Sequence, residues 1–283
     1  MNGQPCQDCP TAFDDVRRLR TVEALFVLAV QNDVDLLDQM MTDCDHQVGI
    51  HRAGPFWKSL CDQSVRDIHP VGISDFRGRS TAIGCGFTDN TFHETRPLDH
   101  RHLSILSDPR TRRLLDRYKV PETLVGGVLN IVEIDGRKLA AHYLGLLAQH
   151  DQIAHAAKYK LAKSLFEIGG GFGVNVHLVL ENYPNIRKVR YLDVPPNLYI
   201  GTQYLKVFYG DRLRDYRETL SLSTIQFSND KEIEIIAIAP WQLSQVSAQF
   251  DIFHNGIHSW RRPKKLSNSM PDKRCGYWQK RGP

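Results

Sequence analysis

The chain lacks any apolar run approaching the roughly 20 residues that a helix needs to cross a bilayer. Ala24 to Val30 is its longest uncharged apolar stretch near the N-terminus; it follows Arg17, Arg18 and Arg20, but Glu23 interrupts the pattern, so a secretory leader is not predicted. No membrane span and a cytoplasmic protein are expected. Cysteine is sparse: of the six, at positions 6, 9, 44, 61, 85 and 275, only Cys6 and Cys9 have the spacing of a metal or redox pair. No second close pair supplies the remaining ligands that zinc takes, and Pro10 after Cys9 with no strand before it argues against a thioredoxin-like turn. The thiols read as free and reduced, in keeping with a cytoplasmic setting. Carboxylate clusters with ligand spacing are also missing. Asp43, Asp45 and His46 form a local acid and His group that reads as a solvated helix end, and no metal site is expected.

A basic face is absent from the body of the chain, although the net charge is +4. Residues 261–283 hold eight Lys or Arg and one Asp, which leaves residues 1–260 with 28 basic against 31 acidic side chains, a net of −3. The positive balance belongs to the tail, and no nucleic-acid partner is expected. At 283 residues with 41% hydrophobic and 24% charged side chains, the composition excludes a disordered or fibrous chain and allows a full core.

What is present falls into two parts. Apolar positions Val22, Leu25, Phe26, Ala29 and Val30 recur at helical spacing within a predicted helix or helix pair over 14–41. A long irregular region is expected from about 49 to 97, followed by a helix over 107–118 started by Asp108 and Pro109 and stopped by Pro121, and a second helix over 137–160. From Ser164 strands and helices alternate, which predicts a parallel sheet covered on both faces. The predicted strands are 165–168, 189–192, 232–239 and 250–254, with helices over 174–182 and 197–208; Pro195 and Pro196 close a strand, Asn197 caps the second helix and Gly210 ends it. The expected fold is α/β, a Rossmann-like parallel sheet preceded by a mainly helical N-terminal region. The expected divisions are 1–120, mainly helical and irregular; 121–260, the sheet domain; and 261–283, a basic disordered tail.

The most informative stretch runs Leu165-Phe166-Glu167-Ile168-Gly169-Gly170-Gly171-Phe172-Gly173. An apolar strand that ends in one acid and a cluster of glycines suits a nucleotide-binding turn, because glycine permits positive φ and lets a ligand approach bare backbone. Dinucleotide folds want G-x-G-x-x-G. Counted from Gly171, the third position is Val176; counted from Gly169, the pattern is G-x-G-x-G preceded by Glu167. That second pattern resembles the first motif of the S-adenosylmethionine-dependent methyltransferases. Asp193 ends the next strand, twenty-six residues after Glu167, where a carboxylate can accept hydrogen bonds from both ribose hydroxyls of a nucleoside. Leu192 and Asn197 are expected neighbours of the adenosine. The cofactor-binding set is therefore Glu167, Gly169, Gly170, Gly171, Gly173, Leu192, Asp193 and Asn197.

The glycine turn, together with Tyr191-Leu192-Asp193-Val194-Pro195, Asn197-Leu198, Gln203-Tyr204-Leu205, and Phe250-Asp251-Ile252-Phe253-His254-Asn255 with Ser259, resembles the sugar O-methyltransferase family. Upstream, Asp108-Pro109-Arg110 and Gly126-Gly127 are similar to its helical leader, so the resemblance spans roughly 100–259. It implies methylation of a sugar hydroxyl, in a glycan or a sugar precursor, with S-adenosyl-L-methionine as donor and a sugar or glycan as partner. Such a reaction needs the acceptor oxygen held in line with the methyl group and help in removing its proton. By position at the rim of the fourth strand, His258 and His254 are the candidate bases, with Asn255 orienting substrate or histidine; Asp251 reads as structural.

After Ser259 the family pattern would continue into further strands, whereas here Trp260-Arg261-Arg262-Pro263-Lys264-Lys265 opens a polar, basic stretch. A sheet incomplete on its C-terminal side is expected, with Ile252 partly uncovered, marginal stability, and an open strand edge offering a route to homo-oligomers. The alternatives in function are a nicotinamide-dependent oxidoreductase, disfavoured by Val176, and a catalytically impaired pseudoenzyme acting as a binding module.

Overall fold

The computed structural model describes residues 33–49, 54–68, 74–77, 107–121, 124–128, 131–154, 158–230, 232–247 and 249–255. Helix α1 (Val34–Asp45) begins at Asp33, whose carboxylate accepts the Leu36 N–H at 3.1 Å, and turns Leu36, Leu37 and Met40 inward. Helix α2 (Pro55–Ile68) lies where a wholly irregular segment was expected. Its apolar residues at 56, 57, 60, 61, 65 and 68 do follow helical spacing, a period masked by the Gly-, Pro- and His-rich sequence around it. Helix α3 (Pro109–Arg117) starts as the sequence predicts, with Asp108 as cap and proline in its first turn.

Strands β1 (Ile131–Ile134) and β2 (Arg137–Ala140) form an antiparallel hairpin, followed directly by α4 (Ala141–Ala154). The predicted helix over 137–160 thus gives up its first four residues to a strand. The cause is the Asp135-Gly136 turn, with φ of +55° and +71°, a pair suited to a two-residue hairpin.

Next come β3 (Ser164–Ile168), α5 (Val174–Asn182), β4 (Lys188–Leu192), α6 (Pro195–Tyr209), β5 (Leu213–Arg214), α7 (Tyr216–Leu220), β6 (Glu234–Ile238) and β7 (Ile252–Asn255). The fold is mixed α/β, with a five-stranded sheet ordered β5-β6-β4-β3-β7 whose neighbouring strands are all parallel. The chain steps outward from β3 to β4 and on to the edge strand β5, returns to insert β6 between β5 and β4, and then crosses back to place β7 on the other side of β3. The direction of winding therefore reverses between β3 and β7, and the carboxyl ends of both strands meet there.

Pro195 and Pro196 open α6 instead of closing β4, because proline's missing N–H costs nothing in the first turn of a helix. Val194 occupies the cap position, and Asn197 lies inside the helix with its amide directed to Asp193. Gly210, at φ +53°, ends α6 as predicted.

One face of the sheet presents Leu165, Val189, Tyr191, Ile235, Ala237 and Ile252 to the main core, which includes residues of α1, α5 and α6. The opposite face presents Phe166, Leu192, Ile236 and Ile238 to a smaller cluster with Ile225. Contrary to expectation, Ile252 is buried, at 4% exposed; the residue left open is its neighbour Phe253, at 40%. Side chains alternate along a strand, so β7 turns these two to opposite faces. Among the described residues no helix is long and apolar enough to cross a membrane. The calls on 14–32, Cys6, Cys9, Cys85, Cys275 and the basic tail lie outside the described residues; Cys44 and Cys61 are buried free thiols.

Candidate functional site

The glycine turn leaves β3 at the point where the winding reverses. Gly169, Gly171 and Gly173 hold φ of +69°, +61° and +85°, values that side-chain-bearing residues rarely adopt. Gly169 N–H continues the ladder by donating to Leu192 O at 2.8 Å, and Gly173 N–H closes the turn onto Gly170 O at 3.0 Å. Gly170 is required by close approach: a Cβ there would stand 2.7 Å from the Tyr191 ring and 3.1 Å from Glu167 Oε1.

Two buried side chains brace this turn. The Tyr191 hydroxyl lies between the carbonyls of Gly171 and Asn197, 3.1 Å from the latter. Burial, with the Asp193 and Glu167 charges beside it, pushes the phenol well above its usual range and keeps it protonated. Asp193, at 6% exposed, follows β4; its Oδ2 accepts Gly171 N–H at 2.8 Å, and its Oδ1 accepts Val194 N–H at 2.7 Å and Asn197 Nδ2 at 3.1 Å. Burial outweighs these three hydrogen bonds and pushes the carboxyl up to about 7. With two donors on Oδ1 and one on Oδ2, the Asp193 carboxylate retains one free lone pair, on Oδ2. Next to it, Asn197 Oδ1 is buried with no hydrogen-bond partner.

A second cluster joins β3, α5 and β7. Register pairs Glu167 with His254 and Ile168 with Asn255 across adjacent strands. Glu167 is 1% exposed; its Oε2 accepts Asn175 Nδ2 at 3.0 Å, the same Nδ2 lies 3.0 Å from His254 Nδ1, and Glu167 Oε1 is 3.6 Å from that nitrogen. Burial works against a charged His254, but the hydrogen bond to Glu167 and that carboxylate's charge outweigh it, and the net shift of the imidazole is upward.

The predicted residues therefore separate into groups. Glu167, the four glycines, Asp193 and Asn197 converge on the turn, with His254 beside Glu167. Leu192 contributes its carbonyl to Gly169, while its side chain packs in the smaller cluster on the other face. Asn255 is exposed at the end of β7, and His258 lies outside the described residues. Asp251 has the structural part the sequence suggests: its Oδ2 accepts Lys163 N–H at 2.7 Å, Ser164 N–H at 3.0 Å and the Ser164 hydroxyl at 3.1 Å, tying the beginnings of β7 and β3 together.

Sequence reasoning missed Asn175 and the bracing part of Tyr191. A polar aromatic in an apolar strand, in the strand next after that of Glu167 and paired with it in register, was the available signal for Tyr191. Among the described residues no group of three His, Cys, Asp or Glu could hold a metal ion; Asp43 instead accepts the Tyr216 hydroxyl at 2.7 Å, and Asp45 pairs with Lys58 at 3.0 Å. A shallow groove between α1 and α2, lined by Asp38, Met41, Asp45, Asp62 and neighbours, is separate from the turn. No family model matches this chain, and neither a curated protein nor a solved structure matches it.

Proposed function

We propose that the chain is a Rossmann-like, S-adenosyl-L-methionine-dependent O-methyltransferase acting on a sugar hydroxyl of a glycan or sugar precursor. The observation that carries the reading is the glycine turn at the end of β3, an inner strand of the parallel sheet, at the reversal of winding, with Asp193 after the adjacent strand β4 bonded to its Gly171 N–H. Ligands of open parallel sheets bind at such reversals, outside the carboxyl ends of the strands.

The residues fit the cofactor on two counts. The free lone pair of Asp193 Oδ2 suits one ribose hydroxyl, a narrower part than acceptance of both, and the orphaned Oδ1 of Asn197, whose Nδ2 donates to Asp193 Oδ1 at 3.1 Å, is a second acceptor. When bound, the cofactor supplies an activated methyl group on a sulfonium centre. The chain's part is to hold the nucleoside against Gly169–Gly173, align the acceptor oxygen, and receive its proton. His254, in β7, and His258 are the candidate histidines, one for hydrogen bonding and the other for proton acceptance, with Asn255 following His254 in the chain.

Calorimetric titration with S-adenosylhomocysteine, with NAD as the control, tests the proposal. Saturable binding of S-adenosylhomocysteine, weakened by Asp193→Ala, is expected; binding of NAD without it would overturn the reading. The loss at Asp193 should reach about 1.5–3 kcal/mol, the contribution of a hydrogen bond to a charged group. The dinucleotide alternative gains nothing from the structure, since Val176 is fully buried in the main core where that motif wants glycine.

A further inference from the structure

We propose that Asn175 is a positioning residue that holds neutral His254 as the Nε2–H tautomer, so that His254 meets a ligand as a hydrogen-bond donor and not as a base. The tautomer follows from the cluster alone; its meaning for catalysis rests on the methyl-transfer reading.

Asn175 Nδ2 stands 3.0 Å from Glu167 Oε2 and 3.0 Å from His254 Nδ1. An amide nitrogen has two hydrogens, enough for both partners. The reverse orientation of the amide would set Oδ1 against a carboxylate oxygen at the same distance, two acceptors facing each other in a buried site. Glu167 thereby fixes which end of Asn175 faces His254. Because that end donates, Nδ1 must accept, and the neutral ring carries its hydrogen on Nε2.

The protonated ring leads to the same surface. Its added hydrogen enters at Nδ1, next to Glu167 Oε1 at 3.6 Å, and Nε2 keeps its own. Proton gain and loss thus occur inside the cluster, while Nε2 presents N–H in both states. No other described group bonds Nε2, and it points away from Glu167 and Asn175 because both engage the opposite ring nitrogen. The titratable groups around His254 are Glu167 from β3 and, from α4, His150, which burial above all, together with the His254 charge, holds down at about 4 and therefore neutral. What Nε2 can recognise is an acceptor, a carboxylate or hydroxyl oxygen of the ligand. In the proposed reaction the substrate proton must then leave to another group, and His258 is the remaining candidate.

Long-range 1H–15N correlation on full-length protein with 15N-labelled histidine reads the tautomer directly, with His254→Gln identifying the signals. Above the titration of His254, a protonated-type shift at Nε2 and an unprotonated-type shift at Nδ1 are expected. A wild-type ring carrying its hydrogen on Nδ1 would overturn the proposal without recourse to any variant. Asn175→Asp, which replaces the donor by an acceptor, should invert the tautomer and raise the titration midpoint; an unchanged tautomer in folded Asn175→Asp would remove Asn175 from the role. Circular dichroism establishes folding of the variant. S-adenosylhomocysteine titration is a separate readout: failure to bind refutes the functional reading with the tautomer intact, and a reversed tautomer with binding intact refutes this inference alone.

Discussion

On the face of the sheet that carries α5 and α6, the strands give Leu165, Val189, Tyr191 and Ile235 to a core closed by Val176, Val179, Leu198 and Leu205 from regular helices. On the other face, Phe166, Leu192, Ile236 and Ile238 meet Ile225 and the partly buried Leu222, Phe227, Val246 and Phe250, which come from connecting segments. The second face also holds Arg190, which is fully buried in the middle of β4. Its Nη2 reaches Ile225 O at 3.4 Å, its guanidinium stands over Phe227 at 4.7 Å, and its Nε and Nη1 have no partner. The difference teaches where this chain places order. The helix face supports the glycine turn, through Tyr191 and through Val176 in the first turns of α5, whereas the other face closes the sheet with less regular material.

Adjacent residues of one strand make the sharpest comparison. Ile235 and Ile236 are the same residue type, both fully buried, on opposite faces of β6. Truncation of a buried Ile to Ala costs about 2–5 kcal/mol, and the cost falls where the surroundings can collapse into the cavity. Ile235→Ala, surrounded by helices, should lie near the top of that range and Ile236→Ala, covered by loops, near the bottom. Denaturant unfolding of the two variants measures this, and equal costs would erase the distinction between the faces.

The turn supported by the first face contributes a pH dependence of its own. Asp193 has its carboxyl at about 7 when folded, above the roughly 3.9 of an unfolded Asp. The folded state therefore holds the proton more tightly, so this group's contribution is fully present below about pH 4 and is lost as pH rises through about 7, by at most about 4 kcal/mol. Asp215 and Glu234 shift downward, each against its own burial: hydrogen bonding to Lys206 lowers Asp215, and hydrogen bonds from Ser228, Lys188 and Arg214 lower Glu234. Their contributions have the opposite sign and fade as pH falls. The difference in unfolding free energy between wild type and Asp193→Asn, followed from pH 4 to 8, isolates the Asp193 part; a flat difference would show that its carboxyl is not raised.

The sequence made the frame of this site readable and left its wiring hidden, for a physical reason. Glycines, prolines and apolar runs act locally, so Val174–Asn182 was legible from the glycine turn before it, and Glu167 and Asp193 from their places at strand ends. Pro195 and Pro196 were misread because proline both ends strands and opens helices, and only the cap at Val194 decides between them. Asn175 was invisible because Glu167, 8 residues away, meets it only across the folded glycine turn, and His254, 79 residues away, only when β7 pairs with β3. The two-residue β5 was hidden by its length, whereas the hairpin before α4 carried a local signal in Asp135-Gly136 that the charged Arg137 and Lys138 masked.

Arg190 offers a test with the sign reversed. A buried guanidinium with no carboxylate bonded to it loses its hydration and regains only part of it from one long hydrogen bond, two aromatic rings and the charge of Glu234. Burial draws it down to about 10, which still leaves it charged at neutral pH. Replacement of buried charges by apolar side chains of similar size is often stabilising by about 1–4 kcal/mol, and Arg190→Met is expected to raise the melting temperature. A fall would mean that the aromatic contacts on this face hold the charge better than the unpaired nitrogens suggest.

The smallest expected effect belongs to Phe253, the exposed aromatic of β7. Its ring meets Phe166 at 4.7 Å edge to face, a contact of about 0.5–1.5 kcal/mol, but with 40% of the residue in water the area it withholds from solvent is small. Phe253→Ser should therefore cost about 1 kcal/mol, well below either isoleucine truncation, and it should leave His254 undisturbed, since the two side chains leave β7 on opposite faces. The check is unfolding alongside the His254 tautomer signal in the same variant. A loss comparable to Ile236→Ala would place Phe253 among the residues that hold the second face closed, and would make that face the more cohesive of the two at its β7 edge.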